Sequence, residues 1–326
     1  FTAMKCQRLR SWLAAVYTLA FTVIGAALLI SWQATATSVI FAHCASLVLC
    51  LCIGAYWVRS SNALSATNVN VGHIGPGCVR KVVPFALAVW VTNALANLFP
   101  LVDRYMVVNF SGQDAETAFG WLGQYHVARL IPVFSVSLAQ MLQATLLPYL
   151  SRDWEAGNHV KVRDRLDSFL RVFGVAFYAA AGVFLLVGPQ LITALYGEKY
   201  QLSLSVLSLA LLCGLLTSLF ILAQSYLWCA QKGWTINIGL MIALCVIVGL
   251  SAAFLPRFGL PGAVAASCVG TLVLLIYTVA CCGLYGMRFH PGTSIVVLLP
   301  FTLLAGPVVT AVTLGGVGIT VCKTSL

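Results

Sequence analysis

Six stretches of this chain, residues 12–30, 39–58, 173–195, 202–231, 234–256 and 258–287, contain no Asp, Glu, Lys or Arg at all. Each is at least as long as the roughly 17–25 residues that carry an α-helix across the hydrocarbon core of a bilayer. Within that core every backbone N–H and C=O must be paired inside the protein, so helices and closed barrels are the only spanning solutions. Barrel strands alternate apolar and polar residues over about ten positions; these runs do not. They predict an all-α, polytopic transmembrane helix bundle. Composition agrees. Charged residues make up 8% of the chain and the mean hydropathy is +0.98, against about 25% charged in soluble domains. A water-soluble fold of this size would lack an ionic surface.

The apolar periodicity predicts nine helices, at 11–31, 36–58, 81–110, 118–149, 166–196, 201–230, 234–256, 261–286 and 294–320. Two connections, 59–80 and 150–165, stand out as long, and the first is rich in Ser, Asn and Gly, as a boundary between bundles would be. Met4, Lys5, Arg8 and Arg10 before an apolar run imitate a signal peptide. The run is too long and lacks a clear cleavage site, so it is read as a span. Under strict alternation, thirteen basic residues fall on one side: Lys5, Arg8, Arg10, Arg59, Arg80, Lys81, Arg152, Lys161, Arg163, Arg165, Arg171, Lys232 and Arg288. Four fall on the other: Arg104, Lys199, Arg257 and Lys323. The positive-inside rule then places the N-terminus and the 150–165 connection in the cytoplasm. For the same reason the net charge of +10 reads as a topology signal and not as a nucleic-acid footprint. The segment 151–171 interleaves basic and acidic residues with Trp154, Leu166 and Phe169, the composition of an amphipathic connector seated at lipid headgroups. The 12 cysteines form no CxxC pair. Cys50, Cys52, Cys281 and Cys282 sit in apolar runs as small hydrophobic filler, and neither a metal nor a cofactor is expected.

Ionisable and amide side chains at membrane depth carry the functional information, because a charge at mid-bilayer costs at least roughly 2.5–3.5 kcal/mol. In 81–110, Asn93, Asn97 and Arg104 fall within about 40° of one another at helical pitch, whereas Asp103 points about 100° from Arg104. In 118–149, Arg129, Gln140 and Gln143 fall within about 60°. Tyr125 shares that face, and His126 and Ser137 lie at its edge. Arg129 above a polar stripe predicts a water-accessible cavity. Isolated amides are equally consistent with helix-to-helix glue, worth about 0.6 kcal/mol each. There is no HExxH, no GxSxG and no phosphate-binding glycine loop.

Several blocks resemble one family in order and spacing. Leu147-Pro148-Tyr149-Leu150-Ser151 ends a long helix before a charged segment. Leu195-Tyr196-Gly197-Glu198-Lys199-Tyr200 is similar to a "G-x-x-[FY]" turn, and Ala230-Gln231-Lys232-Gly233 to a short basic cytoplasmic turn. The run from Leu255-Pro256-Arg257-Phe258-Gly259 through Leu260-Pro261-Gly262-Ala263-Val264-Ala265-Ala266-Ser267 is similar to a "P-x-[FY]-G-[IL]-x-G-A-A-x-A" turn. In that turn Pro256 is expected to stop one helix, Gly259 to reverse the chain and Gly262 to permit close packing. Asp103-Arg104 matches an Asp common late in the family's seventh helix. Over roughly 81–290 the chain resembles the polysaccharide (O-antigen type) flippases of the multidrug/oligosaccharidyl-lipid/polysaccharide exporter superfamily.

The resemblance implies two six-helix lobes, with the chain as a C-terminal piece. Residues 1–58 would be the last two helices of the N-terminal lobe and 59–80 the inter-lobe linker. Residues 81–286 would form the C-terminal lobe and 287–326 an additional span. It further implies a non-enzymatic transporter of the inner membrane that flips a lipid-linked oligosaccharide of polyprenyl-pyrophosphate type for polysaccharide export. Membrane lipids and the pathway's polymerase and glycosyltransferases would be its partners. Arg129 and Arg104 would attract the pyrophosphate. Asn93, Asn97, Tyr125, Gln140 and Gln143 would bind sugar hydroxyls, and Asp103 or His126 would couple a proton. The alternatives are a drug/cation antiporter or lipid II flippase of the same superfamily, or, from another class, a membrane-bound glycosyl- or acyltransferase.

Overall fold

The computed structural model describes residues 2–31, 35–60 and 76–305, and every structural statement below concerns those residues. Helices α1 (Thr2–Ser31) and α2 (Ala36–Ser60) belong to one compact unit, residues 1–79. They run antiparallel: Cys50 Sγ donates to the Leu13 carbonyl at 3.6 Å, and Tyr17 Oη lies 2.5 Å from His43 Nδ1. The second unit, residues 80–326, is built from α3 (Pro76–Phe110) from Arg80 onward, α4 (Ala115–Glu155), α5 (His159–Tyr196), a 3₁₀ turn (Glu198–Tyr200), α6 (Gln201–Ser205), α7 (Leu207–Cys229), α8 (Gly233–Phe258), α9 (Leu260–Leu284), α10 (Pro291–Leu298) and a 3₁₀ segment (Leu299–Ala305).

Seven of the described helices, α2 to α5 and α7 to α9, are long and apolar enough to cross a membrane, and Ala15–Ser31 of α1 adds a shorter apolar stretch. The expected helix at 294–320 is described as far as residue 305, where it is α10 followed by the 3₁₀ segment; 306–320, like most of the 59–80 linker, lies outside the described residues. One expectation is corrected. The 150–165 connection contracts to residues 156–158, because α4 runs on to Glu155 and α5 starts at His159. Charged residues mark where a helix leaves lipid, not where it ends. The 41 residues of α4 span about 61 Å at 1.5 Å per residue, roughly twice the hydrocarbon thickness.

α7 is the centre of the second unit. It is buried on all sides and packs against α4, α5 and α9 through Leu212, Leu215, Leu216, Leu219 and Leu222. Lipid tails are as apolar as these side chains, so close backbone approach rather than the hydrophobic effect holds such helices together. A Cβ built on Gly214 of α7 would fall 2.6 Å from Pro132 Cβ of α4, and one on Gly270 of α9 would fall 2.2 Å from Ile247 Cγ1 of α8. The α8–α9 turn also departs from expectation in detail. Pro256 stays inside α8, and the helix ends where Gly259 adopts φ +61°. A proline within the last turn leaves the preceding ladder largely intact; the left-handed glycine is what breaks the helix. Gly262 follows with no room for a side chain, its Cβ position lying 2.6 Å from the Phe254 carbonyl oxygen.

At the start of α4 the Asp114 carboxylate accepts from the Thr117 N–H at 3.4 Å, an N-cap. The Thr117 side chain, together with this N–H bond, holds the Asp114 carboxyl below the usual carboxylate range. A depressed folded-state value means that the cap contributes fully above the ordinary range and is lost as pH falls through the lowered one. Asp114→Ala is therefore expected to speed amide exchange at Thr117 at neutral pH, and to change little in strong acid.

Candidate functional site

The face that α3 turns inward carries Ala88, Thr92, Phe99, Asp103 and Met106, so Asp103 is carried into the bundle, with 9% of its surface exposed. Three donors from two other helices meet it there. Tyr125 Oη of α4 donates to Oδ2 at 2.9 Å, Arg129 Nη1 of α4 to the same oxygen at 3.3 Å, and Ser267 Oγ of α9 to Oδ1 at 2.8 Å. Arg129 Nη1 also donates to Tyr125 Oη at 3.1 Å, and its guanidinium carbon stands 5.1 Å from the centre of the Tyr125 ring. Long side chains on helices lean toward the N-terminal turn, which is why Arg129 reaches back one turn to Tyr125. Cys213 of α7, beside Thr271 Oγ1 at 3.7 Å, and Cys268 of α9 complete the surroundings. Asp103 and Ser267 each lie seven residues, or about 10 Å, from the ends of α3 and α9 farthest from the α4–α5 turn.

This geometry revises the roles expected for four residues. Arg129 is not an unpaired cavity cation but the ion-pair partner of Asp103, with 30% of its side chain exposed. Tyr125, at 4% exposure, hydrogen-bonds a carboxylate instead of lining open space. Gln143 donates to Ser225 Oγ of α7 at 3.3 Å, which is helix glue. Asp103 turned away from Arg104 as the helical wheel required, but toward a partner that no single-helix projection reveals.

The remaining candidates stay on the outside of the second unit. Asn93, Asn97, Arg104, His126 and Gln140 are all exposed. The Asn93 and Asn97 amides donate back to the carbonyls of Val89 and Asn93 at 3.1 and 2.8 Å. Arg104 makes no ion pair among the described residues. Sequence reasoning passed over Ser267, which sits in a run of small residues, and over Asn237 of α8. Asn237 accepts from Thr92 Oγ1 at 2.6 Å and donates to the Ala88 carbonyl at 3.1 Å, joining α8 to α3. A lone amide within the charge-free run 234–256 was the available signal.

A second polar cluster lies at the α4–α5 turn. Buried Asp153 accepts from Arg165 at 2.5 Å with Lys161 at 4.0 Å, and buried Asp167 receives Arg171 at 3.0 Å, the His290 N–H at 3.2 Å and Thr293 Oγ1 at 2.5 Å. Asp167 thereby fastens the start of α10 to α5. A cleft of about 880 Å³ opens beside this turn, lined by His159, Lys161, Arg163, Asp164 and Arg165, and a smaller one of about 360 Å³ opens beside Trp121, Gln124 and Tyr200. Neither reaches Arg129. Among the described residues no three of His, Cys, Asp and Glu gather as a metal site requires.

Comparisons with family models, with characterised proteins and with solved structures find no match to this chain. What fold and composition define is a multi-pass, all-α integral membrane protein.

Proposed function

We propose that this chain functions as a membrane transporter that flips a lipid-linked oligosaccharide, of polyprenyl-pyrophosphate type, across the inner membrane for polysaccharide export, with its N-terminus in the cytoplasm. The observation that carries the reading is the set of exposed polar side chains on two spanning helices of the second unit: Asn93, Asn97 and Arg104 on α3, His126 and Gln140 on α4. Polar groups on spanning helices normally face protein or a water-filled hollow rather than lipid. A cavity lined by amides and a cation suits sugar hydroxyls and a pyrophosphate. The sequence resemblance supports flipping toward the outer leaflet, and the basic bias of one membrane side supports a cytoplasmic N-terminus. In this reading Arg104, which has no acidic partner among the described residues, supplies positive charge to the anion near the non-cytoplasmic end of its path. Pathway glycosyltransferases and the polymerase would act on either side of the step. A cation antiporter of the same superfamily is less well supported, since Asp103, which would have to hold the cation, is already engaged by three donors.

Cysteine accessibility tests the central claim. With a membrane-impermeant maleimide, Asn97→Cys and Gln140→Cys are expected to label well above the parent protein. Phe134→Cys, on the apolar side of α4 and 68% exposed, is expected not to label. Equal protection of all three positions would remove the water-filled cavity, and with it the transporter. If labelling holds, Asn97→Ala with Gln140→Ala should cut translocation of a lipid-linked oligosaccharide in proteoliposomes by about tenfold, the cost of losing about 1.4 kcal/mol of cargo contacts.

A further inference from the structure

The Asp103–Arg129 pair has a feature that a purely structural ion pair does not need. The guanidinium offers five donors, yet the contact to Asp103 uses Nη1 alone, at 3.3 Å. Charge-assisted bonds are shortest and strongest near 2.7–2.9 Å, and arginine binds carboxylate or phosphate best through two parallel bonds. Arg129 is thus held by a long, single-atom contact, steadied from below by the Tyr125 ring, while 30% of its side chain stays exposed. A phosphate oxygen placed at Oδ2 of Asp103 would meet the same two donors, Tyr125 Oη and Arg129 Nη1, and would have the unused part of the fork as well.

We propose that Asp103 is a tethered competitor for the cargo's phosphate: it occupies Arg129 when the site is empty, and a pyrophosphate takes Arg129 only as Asp103 lets go. This rests on the transport reading above and adds its regulation. Release has a mechanical consequence. The Asp103 carboxylate joins α3 to α4 through Tyr125 and Arg129, and to α9 through Ser267. Cargo binding at Arg129 therefore removes one of the three ties that fasten α3 to its neighbours. Protonation of Asp103 would loosen the same contact by removing its charge, so anion binding and proton binding favour one another. The groups facing Asp103 are Tyr125 and Arg129 from α4, Ser267 and Cys268 from α9 and Cys213 from α7. Arg129 is the only cation among these groups, so it is what the Asp103 carboxylate and the phosphate compete for.

The test uses the full chain in nanodiscs of zwitterionic lipid, with geranylgeranyl pyrophosphate as the probe. Asp103→Asn keeps the side-chain shape and removes the charge. It is expected to bind the probe roughly tenfold more tightly than wild type at neutral pH, the size of one charge-assisted contact. The advantage should shrink as the solution is acidified and wild-type Asp103 loses its charge. Comparing the two proteins at each pH cancels the titration of the probe itself. Ser267→Ala, which frees only Oδ1, should tighten binding by a smaller factor and serves as a second measurement if Asp103→Asn folds poorly. Arg129→Gln should abolish binding in both backgrounds. Binding by Asp103→Asn and Ser267→Ala no tighter than wild type, with Arg129→Gln still inactive, would overturn the competition and leave the transport reading standing. Unchanged binding by Arg129→Gln would overturn it too, by placing the anion elsewhere. Failure of the cysteine labelling is what sinks transport itself.

Discussion

Arg129→Leu is expected to destabilise the second unit by about 3 kcal/mol, and adding Asp103→Leu is expected to restore most of that loss. Removing one member of a buried ion pair leaves the other charge without compensation, which typically costs about 3–5 kcal/mol, whereas replacing both by apolar residues is often neutral. The lower end applies here, because the stranded carboxylate would keep its bonds from Tyr125 Oη and Ser267 Oγ. Asp103 is the more enclosed partner, so Asp103→Leu alone should cost less: the surviving guanidinium still reaches Tyr125 Oη and its exposed edge reaches water. Reversible unfolding in SDS/detergent mixtures would measure the cycle. The singles should be unequal, and the double mutant should lie closer to wild type than Arg129→Leu does. A double mutant no more stable than Arg129→Leu would show that the two groups do not face one another. The same cycle separates stability from transport, since the double mutant should fold and yet bind no pyrophosphate probe.

The spanning helices were legible in the sequence because the signal is crude and long: a run without charge, set against a fixed bilayer thickness. Their ends were less so. The charges of 151–171 mark the exit from lipid, but Asp153 with Arg165 and Asp167 with Arg171 let α4 and α5 continue beyond it. The site was legible one helix at a time. Asp103, Tyr125 and Arg129 stood out as polar groups at membrane depth, and the angle between Asp103 and Arg104 was read correctly. What a helical wheel cannot contain is which face meets which neighbour, so the ion pair across α3 and α4 was invisible. Ser267 was hidden for another reason. A hydroxyl in a stretch of small residues looks like packing material until a carboxylate from another helix is found 2.8 Å away. Among the described residues, the Asn93 and Asn97 amides bond only backbone carbonyls of their own helix, whereas Tyr125 and Gln143 are taken up by Asp103 and Ser225.

Gly214→Leu is expected to destabilise the second unit strongly. A Cβ at 214 would stand 2.6 Å from Pro132 Cβ and 2.8 Å from Pro132 Cα, and the second of these is backbone, which no rotamer change can move. Nor can α7 retreat, because its opposite faces are filled by α5 and α9. Overpacking of a filled core typically costs about 1–3 kcal/mol. With three further carbons to place, Gly214→Leu belongs at or above the top of that range and Gly214→Ala near its middle. Gly249 of α8 provides the control. Nothing lies within 4 Å of its Cβ position, so Gly249→Ala should be neutral or stabilise slightly, by up to about 1 kcal/mol of helix propensity. The same unfolding assay distinguishes the two positions, and equal effects would mean that α4 and α7 are not in close contact. Pro132→Ala should fail to rescue Gly214→Ala, because alanine retains both the Cβ and the Cα that the new methyl group would strike. Rescue by that substitution would place the clash on the proline ring and move the helix interface by about one atom's width.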